Sequence, residues 1–456
     1  MRRAFAFLLF LPALPFVGAG CGPASSPQSS ARSPLAAKWT DRAKSSYRAG
    51  DFDDARDAAA HALSAAPNDA EVRELAGRIA LVHLDYAETL RVTDGLESTA
   101  SHALRGRAFW FSGDIEHAAD ELEALLTDPL VKDPWAREVA SLARRGSGRH
   151  PFEMEGSLVG AVEMPRALDR VPLGAANVVP CELDGERILA LVATGTSEVL
   201  VDSNSRKDPS WVSLRFDRLE VKDVPALTQD LSAVSHQLGV PIKALLGSQF
   251  LRHAHVTFDR RGDQFVVRRQ DAAAPPDGSR VPLYYLRGGG MLMRATVTPK
   301  DDDPIALFVD SSRLFPLFLQ DVAWKKAGVD LGTLTAMPDA PAVKHGTVPI
   351  FRVGGFDLAK MPAIEGADMG ELSSVMDIDL GGIVGADLLA FFRVTFEDEG
   401  RFMWIEPDPS LVGPVESAPG PGAPPGTAPA PTSAPGSAPA PASAHPPTPA
   451  PSAHKP

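Results

Sequence analysis

The feature that most constrains this sequence is a gapless internal repeat in its second half. The segment LLGSQFLRHAHVTFDRRGDQFVVRR (residues 245–269) aligns at one constant shift with IVGADLLAFFRVTFEDEGRFMWIEP (residues 383–407). Gly247 falls on Gly385, and both segments contain the triplet Val-Thr-Phe followed by an acidic residue and a Gly turn. Alternating apolar residues around such a turn are typical of a β-hairpin. The repeat therefore predicts two copies of one β-rich unit.

Each copy is preceded by a second pair of related segments. The run ILALVATGTS (residues 188–197) has its counterpart in PIALFVDSSR (residues 304–313), so Ala193 corresponds to Asp310. In both runs an apolar strand leads into a turn of small and hydroxyl-bearing residues. Gly247 follows Ala193 more closely along the chain than Gly385 follows Asp310. The second unit therefore has the longer segment after its turn.

Residues 36–147 have a different, helical period. In YRAGDFDDARDAAAHALSAAP (residues 47–67), alanines recur at intervals of three and four, which predicts a small-residue stripe on one helix face. Three positions recur further along at one constant shift: Tyr47, Gly50 and Ala55 correspond to Trp110, Gly113 and Ala118. This spacing resembles tetratricopeptide repeats, with a degenerate middle unit and a capping helix that stops at Gly146. The segment is expected to be either a peptide-binding groove or a spacer that docks on the next domain.

After Gly146 the period changes to two, and residues 150–408 resemble two tandem lobes of a retropepsin- or pepsin-like aspartic protease. In that family an apolar strand, an Asp-Thr/Ser-Gly turn, an Ile/Leu-Leu/Val-Gly-x-x-Leu element and a hairpin follow one another in each lobe. The resemblance implies that two aspartates share one proton across the lobe interface and divide the acid and base roles. It also implies that the hydroxyl after each acid braces the opposite turn, while the Gly leaves room beside the carboxylates.

The resemblance implies a multidomain α plus β fold. A tetratricopeptide-like helical solenoid is followed by an all-β bilobal acid-protease-like barrel. The expected domains follow in this order: signal peptide 1–20, flexible tether 21–35, helical domain 36–147, lobe 1 148–270, linker 271–280, lobe 2 281–408, and a disordered Pro/Ala-rich tail 409–456.

This chain keeps the frame of both turns but lacks one of the two acids. The first turn consists of Ala193, Thr194 and Gly195, and the second of Asp310, Ser311 and Ser312. Asp310 is then the sole candidate catalytic residue, and loss of one member of a catalytic pair costs on the order of 10⁴-fold in rate. Asp202 or Asp259 could supply a second acid only by leaning into the cleft, and both positions are more typical of turns.

Two functions follow as hypotheses. The first is a pseudoprotease or scaffold that binds a peptide or protein segment in the inter-lobe cleft, by strand addition and side-chain pockets. The alternative is an active aspartic endopeptidase in which two chains pair their Asp310 lobes. The oligomeric state is left open by the sequence.

The N-terminus indicates export and lipid anchoring. Arg2 and Arg3 precede an apolar run at 4–17 that is too short to span a bilayer, and GAGC (residues 18–21) ends it. This order resembles a bacterial lipobox, which implies that Cys21 is lipidated and becomes the mature N-terminus. An ordinary secretory signal peptide is the alternative. We expect a membrane-anchored envelope lipoprotein, at the outer membrane on its periplasmic or surface side.

Composition excludes several other classes. The formal net charge of -13 argues against nucleic-acid binding, because no basic patch is available to release counterions. The His residues have no metal-ligand spacing, and no cofactor motif occurs, so no metal or cofactor is expected. The glycine run RGGGML (residues 287–292) predicts a hairpin turn rather than a phosphate cradle.

Overall fold

The structure, a computed structural model, describes residues 32–407 with the exception of positions 169, 273–277, 299–302, 339 and 367–368. The predicted signal peptide, the lipidation site Cys21, most of the tether and the C-terminal tail lie outside the described residues. No helix in the described part of the chain is long and apolar enough to cross a membrane.

The first part of the chain is helical, as predicted. Its helices are α1 (Pro34–Arg48), α2 (Phe52–Ala65), α3 (Ala70–Val82), α4 (Tyr86–Thr93), α5 (Thr99–Ser112), α6 (Ile115–Leu126) and α7 (Pro134–Arg144). Five of them begin after an aspartate whose carboxylate accepts a hydrogen bond from a backbone N–H of the first turn: Asp51, Asp69, Asp85, Asp114 and Asp133. These caps satisfy backbone donors that lack a partner within the helix and fix where each helix starts. Helix α1 begins inside the predicted tether.

The end of the last helix in this segment differs from the sequence prediction. Helix α7 ends at Arg144, and Gly146 is not its left-handed stop. A Cβ at Gly146 would lie 2.2 Å from the indole of Trp211, so the position requires glycine for close packing rather than for a positive φ. Gly50 and Gly113 do adopt positive φ values, of 72° and 87°, at the turns after α1 and α5.

The rest of the chain is mostly β. Lobe 1 contains β1 (Glu153–Gly156), β2 (Val159–Glu163), β3 (Ala167–Leu168), β4 (Val171–Pro172), β5 (Val178–Leu183), β6 (Glu186–Val192), β7 (Val199–Asp202), β8 (Ser210–Phe216), β9 (Leu219–Gln229), α8 (Ser232–Leu238), β10 (Ala244–Leu246), α9 (Ser248–His253), β11 (Thr257–Asp259) and β12 (Gln264–Arg268). Lobe 2 contains β13 (Ser279–Pro282), β14 (Tyr284–Leu286), β15 (Gly290–Ala295), β16 (Ile305–Val309), β17 (Leu317–Leu319), α10 (Asp321–Lys326), β18 (Thr335–Met337), β19 (Ala340–Val353), β20 (Phe356–Glu365), α11 (Gly370–Met376), β21 (Gly382–Val384), α12 (Ala386–Leu389), β22 (Phe392–Glu397) and β23 (Phe402–Pro407). Strand β13 begins inside the predicted linker.

The two lobes repeat one strand arrangement around their turns. In lobe 1 the short strand β10 lies between β6 and β7, parallel to the strand before the turn and antiparallel to the strand after it. In lobe 2, β21 lies between β16 and β17 with the same directions. Each turn is therefore held by the same three-strand frame.

A six-stranded sheet in the order β13-β23-β22-β11-β12-β2 joins the lobes. Its central strands β11 and β22 are antiparallel, and Thr257 lies opposite Thr395. The hydroxyls of these two residues are 2.8 Å apart, although the residues are 138 positions apart in the chain. Equivalent residues of the repeat therefore meet each other, which places an approximate twofold axis between the lobes.

The helical segment packs across both lobes within one compact unit. On lobe 2, Arg294 pairs with Asp51 at 3.0 Å, and a Cβ at Gly50 would lie 2.5 Å from the methyl of Ala306. On lobe 1, Trp211 Nε1 donates to the carbonyl of Leu142 at 3.1 Å. These three contacts come from the turns and ends of the helices.

Candidate functional site at the paired turns

The two turns predicted from the repeat brace each other through reciprocal hydrogen bonds. The backbone N–H of Thr194 donates to Ser311 Oγ at 3.1 Å, and the N–H of Ser311 donates to Thr194 Oγ1 at 2.8 Å. Each hydroxyl then donates to a carbonyl of the opposite strand, Thr194 to Val309 at 2.9 Å and Ser311 to Val192 at 2.8 Å. Both hydroxyls are fully buried. The bracing role that the family resemblance implied for these residues is present in the geometry.

The backbone places Ala193 and Asp310 at equivalent positions. The N–H of Ala193 donates to the carbonyl of Leu246 at 3.0 Å, and the N–H of Asp310 donates to that of Val384 at 2.9 Å. These two acceptors are themselves equivalent positions of the internal repeat. The side chain at one position is a methyl group and at the other a carboxylate.

Asp310 is bound within its own turn. Its Oδ1 accepts from the N–H of Ser312 at 3.0 Å and from the Ser312 hydroxyl at 2.6 Å. Its Oδ2 accepts from Arg313 Nε at 3.1 Å in an ion pair. Three donors therefore fix the carboxylate, and the residue is only 7% exposed.

The residues at the glycine positions of the two turns differ in their effect. A Cβ at Gly195 would lie 2.6 Å from Cγ of Asp310, so this position leaves room for the opposite carboxylate. In the second turn Ser312 replaces glycine, and its hydroxyl is the closest partner of Asp310. Ser312 therefore supplies a hydrogen-bond donor to Asp310 at the position where the first turn has glycine.

Ala193 lies in an apolar environment. It is 3% exposed and belongs to a hydrophobic cluster that includes Leu191, Leu245 and residues of α8, with Leu314 of lobe 2 packed against it. No carboxylate in the described part of the chain takes the place of the missing acid. Asp202 instead pairs with Lys243 at 2.9 Å.

Asp259 likewise serves a local role. Its Oδ1 accepts from the N–H groups of Arg261 and Gly262, both at 2.9 Å, and so caps the turn of the β11–β12 hairpin. Among the residues that the structure describes, no group of three or more His, Cys, Asp or Glu side chains could hold a metal ion.

Helices of the first segment cover one side of β16, the strand before the second turn. Ala306 and Phe308 of β16 pack in a hydrophobic cluster with α1, α2 and α3, whereas their neighbours in the strand face the core shared by the lobes. Helices α1–α3 therefore cover one side of the strand that leads into the Asp310 turn.

The glycine run after β14 forms a hairpin turn, as predicted. Gly288 has a positive φ of 77°, and a Cβ there would lie 2.4 Å from the ring of Phe111 in α5. The carbonyl of Gly289 accepts from the hydroxyl of Ser248 at 2.9 Å. The turn thus fills the space between the helical segment and lobe 1.

Glu198, which sequence analysis did not single out, is buried at this same junction. Its Oε1 accepts from the indole N–H groups of Trp135 at 2.9 Å and Trp110 at 3.3 Å, and Ser197 bonds its Oε2. Burial raises the pKa of this carboxyl from its ordinary 4.5 to about 7, against the opposing effect of the indole hydrogen bonds. The only sequence signal was an acidic residue directly before an apolar strand.

Two arginines also act on Glu198. Arg107 of α5 and Arg252 of α9 lower its pKa through their positive charge. Arg107 is itself paired with Asp133 at 2.7 Å, and Arg252 donates to Tyr86 at 2.6 Å. The junction between helices and lobe 1 is therefore a buried polar network.

Comparison with known proteins gives partial likenesses. No family model and no curated protein sequence matches the chain. Among solved structures, the first TPR domain of Spaghetti (RPAP3), bound to an HSP90 peptide, is 16% identical with a TM-score of 0.22, over 25% of this chain and 93% of that one. A retropepsin-like aspartic protease from Rickettsia conorii is 16% identical with a TM-score of 0.22, over 29% of this chain and 95% of that one. Conclusions about function therefore rest on the geometry of the turns.

Proposed function

We propose that this chain is a non-hydrolytic binding protein of the bacterial cell envelope, anchored through lipid on Cys21, that holds peptide or protein segments. The observation that carries the proposal is the buried methyl group of Ala193 at the first acid position of a fully braced pair of turns. We infer that the paired turns keep the frame of an acid-protease site but lack the second acid that its chemistry requires.

Peptide hydrolysis is not expected because the reaction requires proton transfers that this site cannot support. Hydrolysis by this type of site needs two carboxylates that share one proton, so that one activates water while the other polarises the carbonyl. Here a single carboxylate is available, and its oxygens already accept hydrogen bonds from Ser312 and Arg313. A water would have to displace the Ser312 hydroxyl and would then find no second acid.

A free strand edge supports a binding role. Strand β2 lies at one end of the six-stranded sheet, and no other strand in the described part of the chain pairs with its outer edge. Leu158 and Val159 there are 51% and 42% exposed. Exposed edges with apolar side chains accept an additional strand from a partner.

Hydrolysis is tested by incubating the full-length protein with casein from about pH 3 to about pH 7, the range in which aspartic proteases work. We expect no cleavage that pepstatin inhibits, and the same background for wild type and Asp310→Asn. Cleavage that Asp310→Asn abolishes would overturn the proposal. Pairing of Asp310 lobes between two chains would then become the explanation if the activity also fell steeply on dilution.

Binding is tested separately, with a fluorescein-labelled, reduced and carboxymethylated lactalbumin as an unfolded polypeptide. We expect saturable anisotropy changes that Val159→Asp weakens, because a charge on an edge strand disfavours strand addition. Val322→Asp is the matched control, since Val322 lies on α10 and is 52% exposed. Equal affinities for the two variants would remove β2 as the binding edge.

A further inference from the structure

A cavity of about 300 Å³ lies in the seam between the helical segment and lobe 1. Its walls come from the turn after α5, from the residues just before β1, and from α9. The volume is at the lower end of the range of about 300–1,000 Å³ that ligand pockets span. The cavity shares no lining residue with the edge strand β2 or with either turn, so it is a separate feature of the molecule.

The inner walls of the cavity combine buried apolar side chains with polar ones. They include Trp110, Ile115 and Phe152, which are 4%, 4% and 9% exposed. The rim carries Ser112 and His150, which are exposed. The cavity thus has a closed apolar floor and a mouth open to solvent, as a binding pocket requires.

Two polar side chains in the wall lack partners for part of their hydrogen-bonding capacity. Neither ring nitrogen of His253 bonds to another described residue, although its ring stacks on Phe152 with centroids 4.4 Å apart. Gln249 is 4% exposed, and its Oε1 accepts from Arg252 at 2.8 Å, while its amide N–H groups have no partner in the described part of the chain. His253 is half-buried, and the open nitrogen atoms of both side chains are not sealed in the interior, so a ligand in the cavity can bond to them in place of water.

Charge limits what this partner can be. No Asp, Glu, Lys or Arg side chain lines the cavity. Burial lowers the pKa of His253 to about 3, with smaller effects from the charges of Arg252 and His255, so its imidazole is neutral. A charged ligand would lose its hydration without gaining a counter-charge.

We propose that this cavity binds an uncharged aromatic ring with a single hydrogen-bonding end, such as a phenol. The ring packs against the apolar floor formed with Trp110 and Phe152, and the polar end bonds to His253 and Gln249. The same chemistry occurs in a free phenolic compound and in a tyrosine residue of a peptide. This binding site is independent of the proposed peptide-binding edge.

The test uses the full-length protein and four probes: p-cresol, toluene, benzoate and N-acetyl-L-tyrosinamide. Ligand-observed NMR titration should give saturable binding of p-cresol and much weaker binding of benzoate. Binding of the tyrosine derivative as well would identify a peptide residue as the source, and binding of p-cresol alone a free phenol. Absence of saturable binding by p-cresol and by the tyrosine derivative would show that the cavity holds water only and would overturn the proposal.

Two variants and one matched control test whether p-cresol binds in this cavity. Ser112→Phe should block the mouth and abolish p-cresol binding, whereas Thr127→Phe should not. Both hydroxyls are exposed and donate to the carbonyl three residues earlier, at the end of a helix, so the pair is matched. His253→Phe keeps the stacked ring and should weaken p-cresol about fivefold, the size of one neutral hydrogen bond, but leave toluene unchanged. Equal p-cresol affinity in wild type and Ser112→Phe would refute the site.

Discussion

The buried carboxyl of Glu198 predicts that the stability of this protein falls as pH rises towards neutrality. The pKa of the carboxyl is raised from 4.5 to about 7 in the folded chain, chiefly by burial. A difference of this size corresponds to about 3 kcal/mol between the charged and neutral forms. Only a few buried groups in a protein contribute a term this large.

The sign follows from which state releases its proton first. Below about pH 4.5 the carboxyl is protonated in both the folded and the unfolded chain, so it adds no pH dependence. Between about pH 4.5 and about pH 7 the unfolded chain has released its proton and the folded chain has not, so rising pH favours unfolding. Above about pH 7 the full loss of about 3 kcal/mol is present.

Glu198→Gln removes this dependence while it keeps the local geometry. The amide oxygen can accept from the indoles of Trp110 and Trp135 as Oε1 does, and the amide N–H can donate to Ser197. We expect the variant to be more stable than wild type by up to about 3 kcal/mol near pH 8 and close to wild type near pH 5. The charges of Arg107 and Arg252 already oppose the shift, so they do not add to this figure.

The measurement is urea unfolding followed by tryptophan fluorescence at several pH values between about pH 5 and about pH 8. Glu153→Gln is the control, because it removes the same charge from an exposed position. A wild-type protein whose free energy of unfolding has the same pH slope as Glu198→Gln would refute the reasoning, since the slope is assigned to this one carboxyl.

Two further predictions concern the packing of the turns and of the helices. Thr194→Val should lower the free energy of unfolding by about 2–4 kcal/mol, because it leaves one buried N–H and one buried carbonyl without partners. The double variant Thr194→Val/Ser311→Ala should lose less free energy of unfolding than the two single variants lose together, because both residues form the same pair of hydrogen bonds between the turns. Strictly additive losses would show that the two turns are independent. Gly50→Ala should destabilise the protein by more than Gly95→Ala, because both glycines have positive φ but only Gly50 has a neighbour, the methyl of Ala306 at 2.5 Å from the added Cβ. Equal effects in urea unfolding would argue against close packing of α1 and α2 on lobe 2.

The sequence predicted the parts of this structure that depend on local pattern and on repetition. The constant shift between the two copies identified strands that prove to be equivalent, down to Thr257 facing Thr395 across the inter-lobe sheet. The family resemblance supplied the brace between Thr194 and Ser311, because the hydroxyl positions survive in both turns. It could not supply the ion pair from Arg313 to Asp310, since that position is no part of the motif.

The sequence did not reveal which element covers each lobe. One strand of lobe 2 nevertheless indicated that a covering element exists. Every residue of β16 (Ile305–Val309) is apolar and every one is buried. A strand with one face in solvent alternates between apolar and polar residues, whereas a strand that is apolar at every position requires cover on both faces. The cover turns out to be α1–α3, which contact lobe 2 through helix residues such as Phe52 and through the turn at Gly50. A strand that is apolar at every position therefore indicates that both of its faces are covered, even where the sequence does not show which element covers them.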